Sequence, residues 1–270
     1  MARSSGTDPS PDRPVVLCHG AWGGSYGFRR VRPFLWGAGH EVFTPSLTGI
    51  GERSHLASPM IGLATHVQDL ANAVLYEDLH DIVLVGFSYG GMVVTGALDQ
   101  IGGRVAHLVY LDALVPADGQ SAVNVMSGGT PTPAGTRAGA DGAGGDRPVG
   151  SAALPPGPWT LNPVPRPLDT PEDTAWSDAR RVGQPMRTLT EPVRLRRPLE
   201  EWPFTLTYIK ATADPSEADD SAFWRTARHA RASERWRYHE IPSTHMVPFS
   251  HAEPLAKILL ALATEPVGVG

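Results

Sequence analysis

The stretch Asp81-Ile82-Val83-Leu84-Val85-Gly86-Phe87-Ser88-Tyr89-Gly90-Gly91-Met92-Val93-Val94-Thr95-Gly96-Ala97-Leu98 decides the fold. Its first part, Ile82 to Val85, is apolar and β-branched and is bounded by turn residues, which reads as a buried strand of a parallel sheet. Its last part, Met92 to Leu98, reads as a helix packed on that sheet. Between them stands Ser88, with Gly86 and Gly90 two residues to either side. This is the G-x-S-x-G elbow, a strand-to-helix turn tight enough to demand glycine at its flanks. Such a turn lifts the Ser88 hydroxyl off the sheet and turns the first helical N–H groups toward whatever sits beside it. Strand before and helix after are what separate this motif from a chance match.

Composition sets the bounds. The chain has 270 residues, enough for one large α/β domain or two small ones. No apolar run is long enough to span a bilayer, and Met1 to Pro14 lacks a signal-like apolar core, so a cytoplasmic location away from membranes is expected. The single cysteine, Cys18, excludes an internal disulfide and a cysteine-cluster metal site. A net charge of -5 leaves no footprint for nucleic acid.

Outward from the elbow, strands and helices alternate. Val15 to Cys18 is a short buried strand, followed by the Gly-rich loop His19 to Gly24 and a helix reaching about Trp36. Glu41 to Thr44 is the next strand, and Leu47 to Ser54 a turn-rich connection whose Arg53 and neighbouring His55 read as solvated. Val67, Leu70, Val74 and Leu75 fall at helical spacing, so His66 to Leu79 is an amphipathic helix, with His66 and His80 expected at the surface. Leu108 to Leu111 is a strand that ends in Asp112. This alternation predicts a doubly wound, mostly parallel sheet.

The composition then shifts. Residues 116–203 read as a partly helical cap inserted over the strand C-termini, with a flexible Gly/Pro/Ala-rich excursion at about 127–158 and a helix from Pro171 to about Val182. Residues 14–115 and 204–264 form the core, and 1–13 a disordered tail. The core resumes with a strand over Phe204 to Lys210 that leads to Asp214-Pro215. A helix capped by Asp219 or Asp220 follows, then a strand from Arg235 to Ile241. Ser250 and Glu253 form a capping box for a last helix over Leu255 to Leu262.

A serine is a weak nucleophile without a base. The base and its carboxylate partner should hang on loops after strands downstream of the elbow, in the order Ser, Asp or Glu, His. His245 meets that requirement, since it follows the last strand, whereas His229 lies on a helix, His239 in a strand and His251 at a helix start. Asp214 is preferred as the carboxylate that fixes the imidazole, with Asp112 its competitor because it too closes a strand. The amide after the nucleophile, that of Tyr89, and one from the Gly-rich loop, that of Ala21, are the expected oxyanion donors. His19 reads as a brace for its own loop.

With those residues in place the chain resembles the α/β-hydrolase-fold serine esterases. More narrowly, it resembles the branch that holds plant salicylate-type methyl esterases, hydroxynitrile lyases and bacterial esterase relatives. The resemblance rests on Val16 to Trp22, Leu47 to His55, Val85 to Met92, Thr212-Ala213-Asp214 and Thr244-His245-Met246, and covers about 15–126 and 171–263. It implies an α/β-hydrolase fold, a catalytic set of Ser88, Asp214 and His245, and oxyanion amides on Ala21 and Tyr89. Met246 stands where the lyases carry a lysine, which favours an esterase. Phe87 stands where a histidine is common before the nucleophile.

The expectation is a carboxylic-ester hydrolase that works through an acyl-enzyme on a small or aromatic ester. It uses no cofactor and no metal, has no nucleic-acid or membrane partner, and is a monomer or homodimer. Trp22, Phe87 and Met246 are expected to line the substrate pocket. The alternative on the same fold is a lactonase, thioesterase or non-hydrolytic cyclase or lyase acting on an aromatic metabolite.

Overall fold

Alternation along the strands builds two cores, one on each face of a sheet. Val15 and Leu17 point to one side and Val16 and Cys18 to the other, as do Val83 and Val85 against Ile82 and Leu84. All eight residues are fully buried. A computed structural model of the protein describes residues 13–130, 158–215 and 217–265. Of the expected disordered tail at 1–13 only Arg13 is described, and it is buried with bonds to the carbonyls of Ala263 and Glu265; the rest of that tail and most of the excursion at 127–158 lie outside the described residues.

The strands are β1 (Val15–Cys18), β2 (Val42–Phe43), β3 (Ile82–Phe87), β4 (Val105–Leu111), β5 (Thr160–Leu161), β6 (Gln184–Pro185), β7 (Thr205–Ala211) and β8 (Trp236–Ile241). The helices are α1 (Arg32–Gly37), α2 (Leu63–Tyr76), α3 (Gly90–Ile101), α4 (Ala122–Ser127), α5 (Pro171–Asp178), α6 (Met186–Thr190), α7 (Ala222–Ala232), α8 (Val247–Ser250) and α9 (Ala252–Thr264). Six strands form one sheet in the order β2-β1-β3-β4-β7-β8, and every pairing in it is parallel. Helices α2, α3 and α7 contribute to the core on one face, and α1 and α9 to the core on the other. The expected doubly wound parallel sheet is what forms. Among the described residues, no helix is long and apolar enough to cross a membrane.

Register places the chemistry. Phe87 pairs with Leu111, and Leu111 with Ile209, so the ends of β3, β4 and β7 lie side by side. The chain joins them one residue further on: Ser88 N donates to Leu111 O at 3.2 Å, and Asp112 N to Ile209 O at 2.7 Å. The segment expected to form the cap leaves the sheet after β4. Its described part includes α4, the two-stranded antiparallel ribbon of β5 and β6, α5 and α6.

Several local expectations are corrected. His66 is buried rather than at the surface: α2 starts at Leu63, and the ring bonds the Tyr89 hydroxyl and the carbonyl of Thr48. Arg53 and His55 do keep to a solvated loop, with Arg53 39% exposed where it bonds Asp69 and the carbonyl of Ser46. Ser221, not Asp219 or Asp220, caps α7, accepting from Trp224 N at 3.2 Å. Ser250 does not cap the last helix. Val247-Pro248 open a separate short helix, α8, which takes Ser250 as its last residue, and α9 then follows from Ala252.

Candidate active site

Steric demand shapes the elbow. A Cβ on Gly90 would stand 2.5 Å from the carbonyl oxygen of Cys18, and one on Gly86 would stand 2.7 Å from Val94 Cγ2. Only glycine lets α3 start this close to β1 and β3. Ser88 takes up the turn with a φ of 56°, in the left-handed region that costs an L-residue about 1–2 kcal/mol. The bond from Leu114 N to Ser88 O, at 3.1 Å, helps hold it there.

The Ser88 hydroxyl meets His245. His245 Nε2 lies 2.9 Å from Ser88 Oγ, and His245 Nδ1 lies 2.7 Å from Asp112 Oδ2. With Asp112 ionised, Nδ1 carries the proton and donates it, leaving Nε2 to accept from the serine. Both side chains are withdrawn from solvent, Asp112 completely and His245 to 9% exposure. Burial alone would drive the Asp112 carboxyl up. The hydrogen bond from His245, together with the charge and hydrogen bond of Lys210, outweighs it and holds the carboxyl below the usual carboxylate value.

The expected Asp214 is therefore displaced at the imidazole by Asp112. The cause is how β7 ends. Thr212 N donates to Ile241 O and Ala213 N to Ser243 O, so the chain after β7 keeps pairing along the continuation of β8. Asp214 is carried to the backbone of His245, whose N–H it accepts at 3.3 Å, and it also meets Arg166 at 3.4 Å. It meets the backbone of the loop that carries His245, while Asp112 meets the ring.

Ala21 and Tyr89, from which the oxyanion amides are expected, line the same cavity as Ser88. Gly20 packs against it so closely that a Cβ there would come within 2.9 Å of Ser88 Cβ. Among the described residues, neither Ala21 N nor Tyr89 N donates to a protein acceptor. The next amide, Trp22 N, is committed to Gln184 Oε1 at 2.9 Å. Behind the loop, His19 donates from Nδ1 to Gly20 O and accepts Leu47 N–H at Nε2, so it braces the backbone. His66 does the same for Tyr89, accepting from its hydroxyl at 3.0 Å while donating to Thr48 O at 2.9 Å. Both rings bond as neutral imidazoles; burial pushes His19 down from its ordinary value and His66 to about 4.

A cavity of about 240 Å³ opens over Ser88 and His245. Trp22, Phe87 and Met246 all line it, with Phe28, Phe223 and Leu189. The rings of Phe87 and Phe223 stand 4.9 and 5.1 Å from the His245 ring. Leu161, Val164, Arg166 and Arg181 also line it, and Trp22 ties that segment to the loop: its Nε1 donates to Leu161 O and its carbonyl accepts from Val182 N. Sequence reasoning missed Gln184, His66 and Lys210. Lys210 carried a signal, since a lone cation inside the run Leu206 to Ala211 has to find a buried partner.

The alpha/beta hydrolase family model matches residues 15–258. The chain belongs to that family. It is 46% identical over 111 residues to the carbendazim hydrolyzing esterase of Nocardioides, a match to 41% of this chain and 46% of that protein. It is 31% identical over 107 residues to the alpha-hydroxynitrile lyase of Arabidopsis thaliana, covering 37% of this chain and 40% of the other. These matches span less than half the length of the curated relatives. In structure it is similar to an extracellular alpha/beta-hydrolase from a Paenibacillus species described as homologous to tobacco salicylic acid binding protein 2. That likeness has a TM-score of 0.69 at 19% identity, and covers 94% of this chain and 100% of that one. The resemblance read from the sequence to the esterase and hydroxynitrile lyase branch holds.

Proposed function

We propose that this α/β hydrolase is a carboxylic-ester hydrolase whose nucleophile is Ser88, whose general base is His245 and whose orienting carboxylate is Asp112. The observation that carries it is the unbroken run of two hydrogen bonds from the Ser88 hydroxyl through His245 to Asp112. His245 Nε2 takes the hydroxyl proton as Ser88 Oγ attacks the acyl carbon. The carbonyl oxygen becomes an oxyanion held by the amides of Ala21 and Tyr89, each such donor being worth about 3 kcal/mol of barrier in related chemistry. As the tetrahedral adduct collapses, the imidazolium passes its proton to the departing alkoxide and the alcohol leaves. Water then attacks the acyl-serine with His245 again as base, the carboxylic acid is released and Ser88 is restored.

The apolar, ring-lined cavity suits a small or aromatic ester. The name of the Nocardioides relative supports the same class of reaction. The test is turnover of a panel of aryl and alkyl esters, lactones and thioesters, with the enzyme quenched during turnover and its peptides weighed. The expected result is ester hydrolysis with the acyl mass on the peptide that contains Ser88. Hydrolysis with no acyl adduct at Ser88, or turnover only of a non-hydrolytic substrate, contradicts the proposal.

A further inference from the structure

Lys210 lies on β7, between β4 and the edge strand β8, and its side chain is entirely buried. A lysine there costs heavily in desolvation unless it is paired, and a methionine would fill the same space without a charge. Its ammonium makes three bonds: to Asp112 Oδ1 at 2.8 Å, to Glu217 Oε2 at 2.7 Å and to the carbonyl of Ala211. It also stands 4.5 Å from the centre of the Trp224 ring. The carboxylate of Asp112 is thus shared, one oxygen on the lysine and the other on His245.

We propose that Lys210, with Glu217 behind it, is a positioning residue that fixes Asp112 and sets the pH at which His245 becomes free to act as a base. The inference rests on the reading of Asp112 as the orienting carboxylate. Lys210, Asp112 and Glu217 together carry one net negative charge, which a protonated His245 neutralises. Without the lysine the imidazolium faces two negative charges and holds its proton to higher pH. Without the charge of Glu217 it faces a neutral pair and releases its proton at lower pH. The other groups around His245 stay fixed in this comparison. Asp214 accepts its backbone N–H and pairs with Arg166 from the cap. Phe87 and Phe223 present only rings. Tyr208, bonded to the carbonyls of Ala113 and Phe223, and Tyr238, on Glu240, are held as neutral phenols.

The test is the pH profile of kcat/KM for ester hydrolysis by the full chain, for wild type, Lys210→Met, Glu217→Gln and Asp112→Asn. Lys210→Met should lower the plateau and move the acid limb up by about one pH unit, as loss of a nearby opposite charge to a carboxylate partner does. Glu217→Gln should move the limb the other way by a smaller amount. A packing role alone lowers the plateau and leaves both limbs where they were. Limbs that coincide with wild type, or that move in the same direction, overturn the proposal. If Lys210→Met does not fold, Glu217→Gln decides by itself: a limb that fails to move down refutes the charge role. Asp112→Asn separates the two readings. Wild-type activity in that variant removes the role of Asp112 itself, whereas its loss with unmoved limbs in the other two removes only the role of Lys210 and Glu217.

Discussion

The ends of β4 and β7 are neighbours in one sheet, and each leads into an aspartate, yet the two aspartates do different things. Asp112 follows β4 directly, takes a φ of 39°, and is turned inward against His245. Asp214 comes three residues after the end of β7, on a segment still pairing toward β8, and reaches the backbone of His245 instead of its ring. What separates them is the distance from the last paired residue, not the identity of the side chain. A carboxylate one residue past the sheet is held by the register, while one three residues past it goes where the loop takes it.

The comparison can be broken most directly at its shared target. Ser88→Ala should lower kcat by about a millionfold while leaving the circular dichroism spectrum unchanged, because every path from either aspartate ends at that hydroxyl. Residual turnover within a hundredfold of wild type means the site does not work through Ser88. Next comes the contrast itself. Asp112→Asn should cost about 10⁴-fold in kcat, through the wrong imidazole tautomer. Asp214→Asn, which keeps an acceptor for the His245 N–H and weakens the pairing with Arg166, should cost about tenfold or less. Steady-state kinetics of the pair, run side by side, gives the ratio.

A smaller effect falls on stability at low pH. His66 is buried and neutral in the folded protein, with its value pushed down to about 4 from an ordinary 6.5. Between those limits the unfolded chain binds a proton that the folded chain refuses, so stability drops as the pH falls through that window and levels off below it. The loss is about 3 kcal/mol from this group. Urea midpoints measured from pH 7 to 4 should fall, and His66→Gln should flatten the curve; an equally steep curve in that variant assigns the effect elsewhere. The smallest change is at the elbow: Gly90→Ala should destabilise the fold by about 1–3 kcal/mol, read as a lowered melting temperature, since its Cβ presses on the carbonyl of Cys18. An unchanged melting temperature would show that α3 can draw back from β1.

The elbow was legible because its constraint is local. Two glycines around a serine, between an apolar β-branched strand and a helix, define one turn and leave little freedom. His245 was legible by position, as the histidine on the loop after the last strand. The choice between Asp112 and Asp214 was not, because it depends on how β7 pairs with β8 beyond its last regular residue, and that pairing has no mark in the sequence. His66 was misread for a similar reason: a start of α2 three residues earlier turns a surface position into the support for Tyr89. Between β4 and β7 the helix starting at Pro171 was legible, while the shorter helices and the two-residue ribbon carry too little periodicity to read.

The central claim is that Ser88 is activated through His245 and Asp112. The most direct measurement is the second-order rate constant for phosphonylation of Ser88 by an aryl fluorophosphonate, followed by mass spectrometry in wild type, Asp112→Asn and Asp214→Asn. Labelling confined to Ser88, slowed about a thousandfold or more in Asp112→Asn and near the wild-type rate in Asp214→Asn, is the expected result. Fast labelling in Asp112→Asn with slow labelling in Asp214→Asn, or no labelling of Ser88 in the folded wild type, would contradict it.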